Sequence, residues 1–154
     1  MSERATALAN QVRQAGTALM QTVGQVDDAH WGRVVEDGVW SPGKDAEHVT
    51  QGAAYHQWLV RTSALGDTSE RSASTQRDIM VALLSKSEVL DALQQRTDQS
   101  ASLVESLSDA QLELPAPTMG PAGPPRTVQQ MIEGQMIRHY HEHRENIEAK
   151  LRQP

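Results

Sequence analysis

The chain has 154 residues, with 14 Lys+Arg against 20 Asp+Glu for a formal net charge of −6, a balance that argues against a nucleic-acid-binding surface. The absence of cysteine excludes a disulfide scaffold, a Cys-ligated zinc or iron–sulfur site and a protein thiol nucleophile, and it suits a cytoplasmic address. With three Trp, two Tyr and no Phe, the core must come from Leu, Val, Ile, Met and Ala, while abundant Ala, Gln, Glu and Arg favour helices. The expectation is a soluble all-α domain spanning residues 1–154, since no apolar run approaches the ~20 residues of a membrane span.

Apolar positions Leu8, Val12, Ala15, Leu19, Val23 and Val26 recur at steps of three or four and predict a first helix, capped by Ser2 with Glu3 in its first turn. Between Asp27 and Trp40 that period is lost and Gly32 and Gly38 intervene, so a connection with a short turn near Trp31 is expected. Ser41-Pro42 is a strong helix start, a capping hydroxyl followed by a proline whose missing N–H costs nothing at the first helical position. This second helix should run to Leu65, where Gly66-Asp67-Thr68-Ser69 breaks it.

A third helical region is read over about residues 74–107, through Ile79, Leu83, Leu84, Leu90, Leu93 and Leu103, with a candidate interruption at residues 85–87 where Ser87 would cap a fresh start. A short turn is expected at residues 108–112. Residues 115–125 hold five prolines with Gly120 and Gly123 and are expected to be a semi-rigid surface loop. Thr127 then caps the last helix, whose stripe is Val128, Met131, Ile132, Gln135, His139, His143, Ile147 and Leu151. Four long helices on such connections imply a four-helix bundle.

The sharpest chemical signal is the run Arg138-His139-Tyr140-His141-Glu142-His143-Arg144. On a helix His139 and His143 stand one turn apart and about 40° from each other, which lets both imidazoles reach one ion. They also fall on the inward stripe, where Leu or Ile would be expected. The bland alternative is a pair of hydrogen-bonded core histidines. A third ligand is available on the second helix, where His48 shares a face with Gly52, Tyr55 and Leu59. His56, on the edge of that stripe, is a competing ligand, a supporting group or a packing residue.

Other residues are read with two roles each. Trp40 is a pocket wall beside His48 or a packing residue at the bundle end. Tyr55 donates to a substrate or is a satisfied core tyrosine. Gln135 and Asn146 flank the histidine pair within about 60° and either orient ligands or face solvent. The letters from His139 to His143 also spell the H-x-x-E-H pattern of inverted zinc peptidases, but those enzymes need a further acidic ligand and a large substrate cleft. Glu142 is better read as a surface acid paired with Arg138.

Trp40-Ser41-Pro42 followed eight residues after the tryptophan by His48, together with His139-Tyr140, His143 and Ile147 near the end, resembles the DinB/YfiT-like superfamily. The stretch from Leu90 through Leu107-Ser108-Asp109-Ala110-Gln111-Leu112 is similar to that family's third helix and following turn, so the likeness covers most of the chain. The resemblance implies a four-helix bundle whose divalent ion, Zn²⁺ or Ni²⁺, is held by His48, His139 and His143. It implies a metal-dependent enzyme, such as a transferase or isomerase that uses a low-molecular-weight thiol of the bacillithiol or mycothiol kind, and a homodimer. A protein that binds or sequesters a small molecule without turnover is the alternative, and a metal-free interaction bundle a third. The expected partner is a small molecule, with no nucleic acid and no membrane. For the carboxylates of such a thiol, Arg126, Arg138 and Arg144 are the basic residues that stand out.

Overall fold

The computed structural model describes residues 1–71 and 77–154. Four long helices make the bundle. Helix α1 is Glu3–Gly24, capped by the Ser2 hydroxyl, which accepts the Ala5 N–H at 3.0 Å. A single turn, α2 (Asp28–Trp31), interrupts the connection. Helix α3 is Pro42–Leu65, with Ser41 capping the Lys44 N–H at 3.2 Å and Gly66 closing the far end in the left-handed conformation at φ 65°. Helix α4 (Lys86–Glu105) and the single turn α5 (Asp109–Leu112) each begin with a capping box. The chain then forms β1 (Pro115–Ala116), β2 (Arg126–Thr127), α6 (Val128–Met131), a π-helical stretch Ile132–Ile137, and α7 (Arg138–Leu151). The last three keep right-handed helical torsions at both junctions and form one continuous helix.

α1 packs against α4 and α7, and α3 packs against the same two, so α1 stands diagonally across the bundle from α3. The core between them is aliphatic, with Val12, Leu19, Leu93, Val104, Ile132 and Ile147 all fully buried. Each fully buried side chain of this kind contributes about 1.5–3 kcal/mol. Gly16 sets the closest approach of α1 to α4, since a Cβ there would lie 2.4 Å from the Thr97 side chain. No helix among the described residues is long and apolar enough to cross a membrane.

Three expectations are corrected. The third helix starts at Lys86, capped by Ser85 rather than Ser87, and residues 77–85 are turn and coil. The expected start at residue 74 lies outside the described residues. The cause is tertiary: this segment is clamped to the start of α3, with the Ser41 N–H donating to the Met80 carbonyl at 2.8 Å and the Leu83 and Leu84 N–H groups donating to Glu47 at 2.8 and 2.9 Å. Those amides cannot also serve a helix. Secondly, the ends of the proline-rich loop are not free coil. Pro115 pairs with Thr127 and Ala116 with Arg126 as a short antiparallel ladder. Thirdly, the π stretch shifts the stripe of the last helix: Met136, Ile137 and Tyr140 enter the core, while Gln135, His139 and His143 are only half-buried at its border. A π turn carries an extra residue, so a regular 3.6-residue count loses phase across it.

Candidate metal centre

His48 lies in the second turn of α3, and His139 and His143 lie on the facing side of α7. One ligand atom from each of the three comes within 4.8 Å of the other two. Their rings are 5.1 Å apart for His48 and His139, 5.0 Å for His48 and His143, and 4.6 Å for His139 and His143. The close packing of α3 against α7 depends on Gly52. A Cβ at that position would stand 2.4 Å from Cε1 of His139, so only glycine leaves room for the ring.

Burial fixes the protonation of two members. His48 is pushed down to about 4, first by burial and then by the neighbouring His143 and Arg77 charges. His139 is pushed further, to about 2, again first by burial. Both are therefore neutral at pH 7, the form in which imidazole binds a metal. His143 is fixed by a hydrogen bond. Its Nδ1 is 2.8 Å from Oδ1 of Asp45, a side chain only 2% exposed. Because a carboxylate only accepts, Nδ1 carries a proton, which leaves Nε2 as the ring nitrogen available to an ion. Lys150 donates to the other oxygen of Asp45, which holds the carboxylate between α3 and α7.

These residues fit a divalent ion on two further grounds. Nδ1 of His48 and Nδ1 of His139 are both buried and have no hydrogen-bond partner among the described residues. A buried polar atom left unpaired costs about 1–3 kcal/mol, and an ion would supply the missing partner. The donor set, three imidazoles, suits Zn²⁺ or Ni²⁺.

The residues expected around the triad divide. Trp40 stands behind it, its ring 4.7 Å from that of His48 and nearly parallel to His143 at 6.2 Å, and its Nε1 donates to the Arg77 carbonyl at 3.1 Å. Beside the triad is a cavity of about 660 Å³, bordered by His48, His139, Tyr55, His56 and Gln135. His56 stands outside the cluster of converging donors; its ring is 5.1 Å from His139, and burial pushes it down to about 4. Gln135 accepts from Arg126 at 2.6 Å. Asn146 is exposed and borders neither cavity nor triad. Glu142 is likewise a surface acid, receiving Arg138 Nε at 2.6 Å.

Sequence reasoning missed Asp45, Gly52, Arg71 and Arg77. Asp45 reads as an ordinary first-turn acid, and only the fold brings His143 and Lys150 to it. Gly52 had a signal: a glycine in mid-helix, one turn from a candidate ligand, costs about 1 kcal/mol relative to alanine and so calls for a packing reason. Arg71 lies in the break after the second helix and Arg77 at the start of a segment that reads as helix by period, and both border the cavity.

A search of curated proteins returned no match. The family model of the DinB superfamily matches residues 11–147, a span that reaches into all four long helices and includes the three histidines. By that match the chain belongs to the DinB superfamily.

Proposed function

We propose that this protein is a metal-dependent enzyme acting on a small molecule, of the kind that joins or isomerises substrates with a low-molecular-weight thiol. The observation that carries the reading is the opening of a three-histidine cluster, with His48 and His139 held neutral by burial, onto a cavity of about 660 Å³, within the range that holds small ligands. Three protein ligands are the pattern of catalytic rather than structural sites, because a position is left for substrate or water. Bound there, a divalent ion supplies Lewis acidity, enough to favour a thiolate or hydroxide at neutral pH.

The chain's own side chains do the rest. His48, His139 and His143 hold the ion, and Asp45 orients His143. Trp40 closes the rear of the cluster against water. His56, neutral at pH 7 and bordering the cavity, offers a ring nitrogen to a hydrogen bond from a bound substrate. The chain has no cysteine, so a thiol must come from outside.

The test is a screen of low-molecular-weight thiols against electrophiles with zinc- or nickel-loaded protein, reading thioether formation by mass spectrometry. Product that accumulates over many turnovers and disappears in His143→Ala, with helicity unchanged by circular dichroism, supports the enzyme. Binding that saturates at one ligand per chain without product makes the protein a small-molecule binder instead.

A further inference from the structure

Three arginines border the cavity against one carboxylate, in a chain whose net charge is −6. Arg138 is held by that carboxylate, Glu142. Arg71 and Arg77 have no carboxylate partner among the described residues. Aromatic side chains hold both at the cavity. The guanidinium of Arg71 lies over the Tyr55 ring at 4.5 Å from its centroid, and Trp58, stacked on Tyr55 at 6.0 Å, donates its Nε1 to the Ser69 carbonyl at 3.0 Å. Trp40, which packs on His48, donates to the Arg77 carbonyl at 3.1 Å. So α3 and Trp40, just before its cap, carry the anchors that bring two unpaired guanidiniums to the mouth of the histidine cluster.

A guanidinium is a fork of donors matched to an oxyanion, and a patch of one sign inside a protein of the other sign selects its ligand by charge. Phosphate sites commonly add backbone amides from a helix N-terminus. Here the helix starts at residues 2, 27, 41, 85, 108 and 127 are each closed by their own side-chain cap, and none of those caps borders the cavity. The cavity offers side-chain donors in their place, which suits a carboxylate. We propose that Arg71 and Arg77 form a carboxylate subsite, so that the substrate is a small organic acid held at two points: its acid group by the arginines and its donor atom at the histidine cluster.

The proposal rests on the metal reading above and names the substrate class for the same site. Its test compares mercaptopropionate with mercaptopropanol, the same thiol without the charge, by calorimetric titration of zinc-loaded protein. The acid should bind about tenfold more tightly to wild type, the effect expected of a charge-assisted pair. In the Arg71→Ala/Arg77→Ala double variant the two thiols should bind alike, with zinc content and mercaptopropanol affinity unchanged. Equal binding of both thiols to wild type, or a preference that survives in the double variant, overturns the subsite. Zinc-free protein separates this failure from failure of the metal reading. There the arginine Nε–H signals in NMR spectra should still shift with mercaptopropionate and not with mercaptopropanol. That shift in a protein that takes up no zinc removes the metal reading and leaves the subsite standing; zinc uptake without acid preference removes the subsite alone.

Discussion

Helices α1 and α3 are close in length, 22 and 24 residues, and stand diagonally across one bundle, yet they bury different kinds of side chain. α1 buries Ala5, Leu8, Ala9, Val12, Ala15, Leu19 and Val23, with Gly16 and Thr22 the exceptions to a plain apolar stripe. α3 buries Lys44, Asp45, Glu47, His48, His56 and Gln57 beside its alanines and valines. A buried charge or imidazole must find a partner or stay neutral, at a cost that an alanine never meets. α1 with α4 therefore supplies the stability, and α3 with the last helix spends some of it to hold a site.

Acid should separate the two halves most strongly. In metal-free protein His48 and His56 are pushed down to about 4 and His139 to about 2, each chiefly by burial, whereas unfolded histidine titrates near 6.5. Below about pH 6.5 the unfolded chain thus binds more protons than the folded one, and stability falls as pH drops toward 4. Each histidine contributes a slope of up to about 1.4 kcal/mol per pH unit, so the loss between about pH 7.5 and about pH 5 is several kcal/mol in all. Urea unfolding of chelator-treated protein at the two pH values checks this, and a flat profile would mean that the histidines are not buried neutral.

Glu47→Ala comes next. Glu47 is 2% exposed, holds the equally buried Lys44 at 3.2 Å and receives two backbone N–H groups from residues 83 and 84. Its removal leaves a charge and two amides unpaired and should cost about 3–5 kcal/mol. Leu19→Ala in α1 should cost roughly 3 kcal/mol by cavity formation, but leave metal uptake intact. If both variants lose metal equally, the division between the halves fails.

Two smaller effects act on the site alone. Asp45→Asn keeps the shape of the side chain and removes the charge that orients His143, so metal affinity should fall about 10- to 100-fold, measured by competition with a chromophoric chelator. Gly52→Ala gains up to about 1 kcal/mol of helix propensity but sets a methyl group 2.4 Å from the His139 ring, so the ring must shift and metal affinity should fall in the same chelator competition. A variant that keeps full metal affinity would show that His139 does not need the room.

The same contrast governs what could be read from the sequence. α1 was legible because period and cap were local, and the ends of α3 were legible because Ser41-Pro42 and Gly66 are chemically distinctive. His48, His139 and His143 stood out as polar residues where an apolar stripe was expected. What escaped was set at a distance. Asp45 meets His143, 98 residues away, and Glu47 meets residues 83 and 84 in a segment whose Ile79, Leu83 and Leu84 look helical by period. The π stretch moved Tyr140 into the core and Gln135 out of it, since one extra residue in a turn leaves no mark in a regular count. Asn146 kept two readings in the sequence, and the exposed one describes it, because an angle from a histidine does not say which flank faces solvent.

The most direct test of the histidine centre is metal content by mass spectrometry on protein purified without an affinity tag, for wild type, His48→Ala and His139→Ala. The account predicts about one equivalent of zinc or nickel in wild type and its loss in both variants. No ion in wild type after soaking in Zn²⁺ and Ni²⁺, or undiminished uptake by both variants, would contradict it.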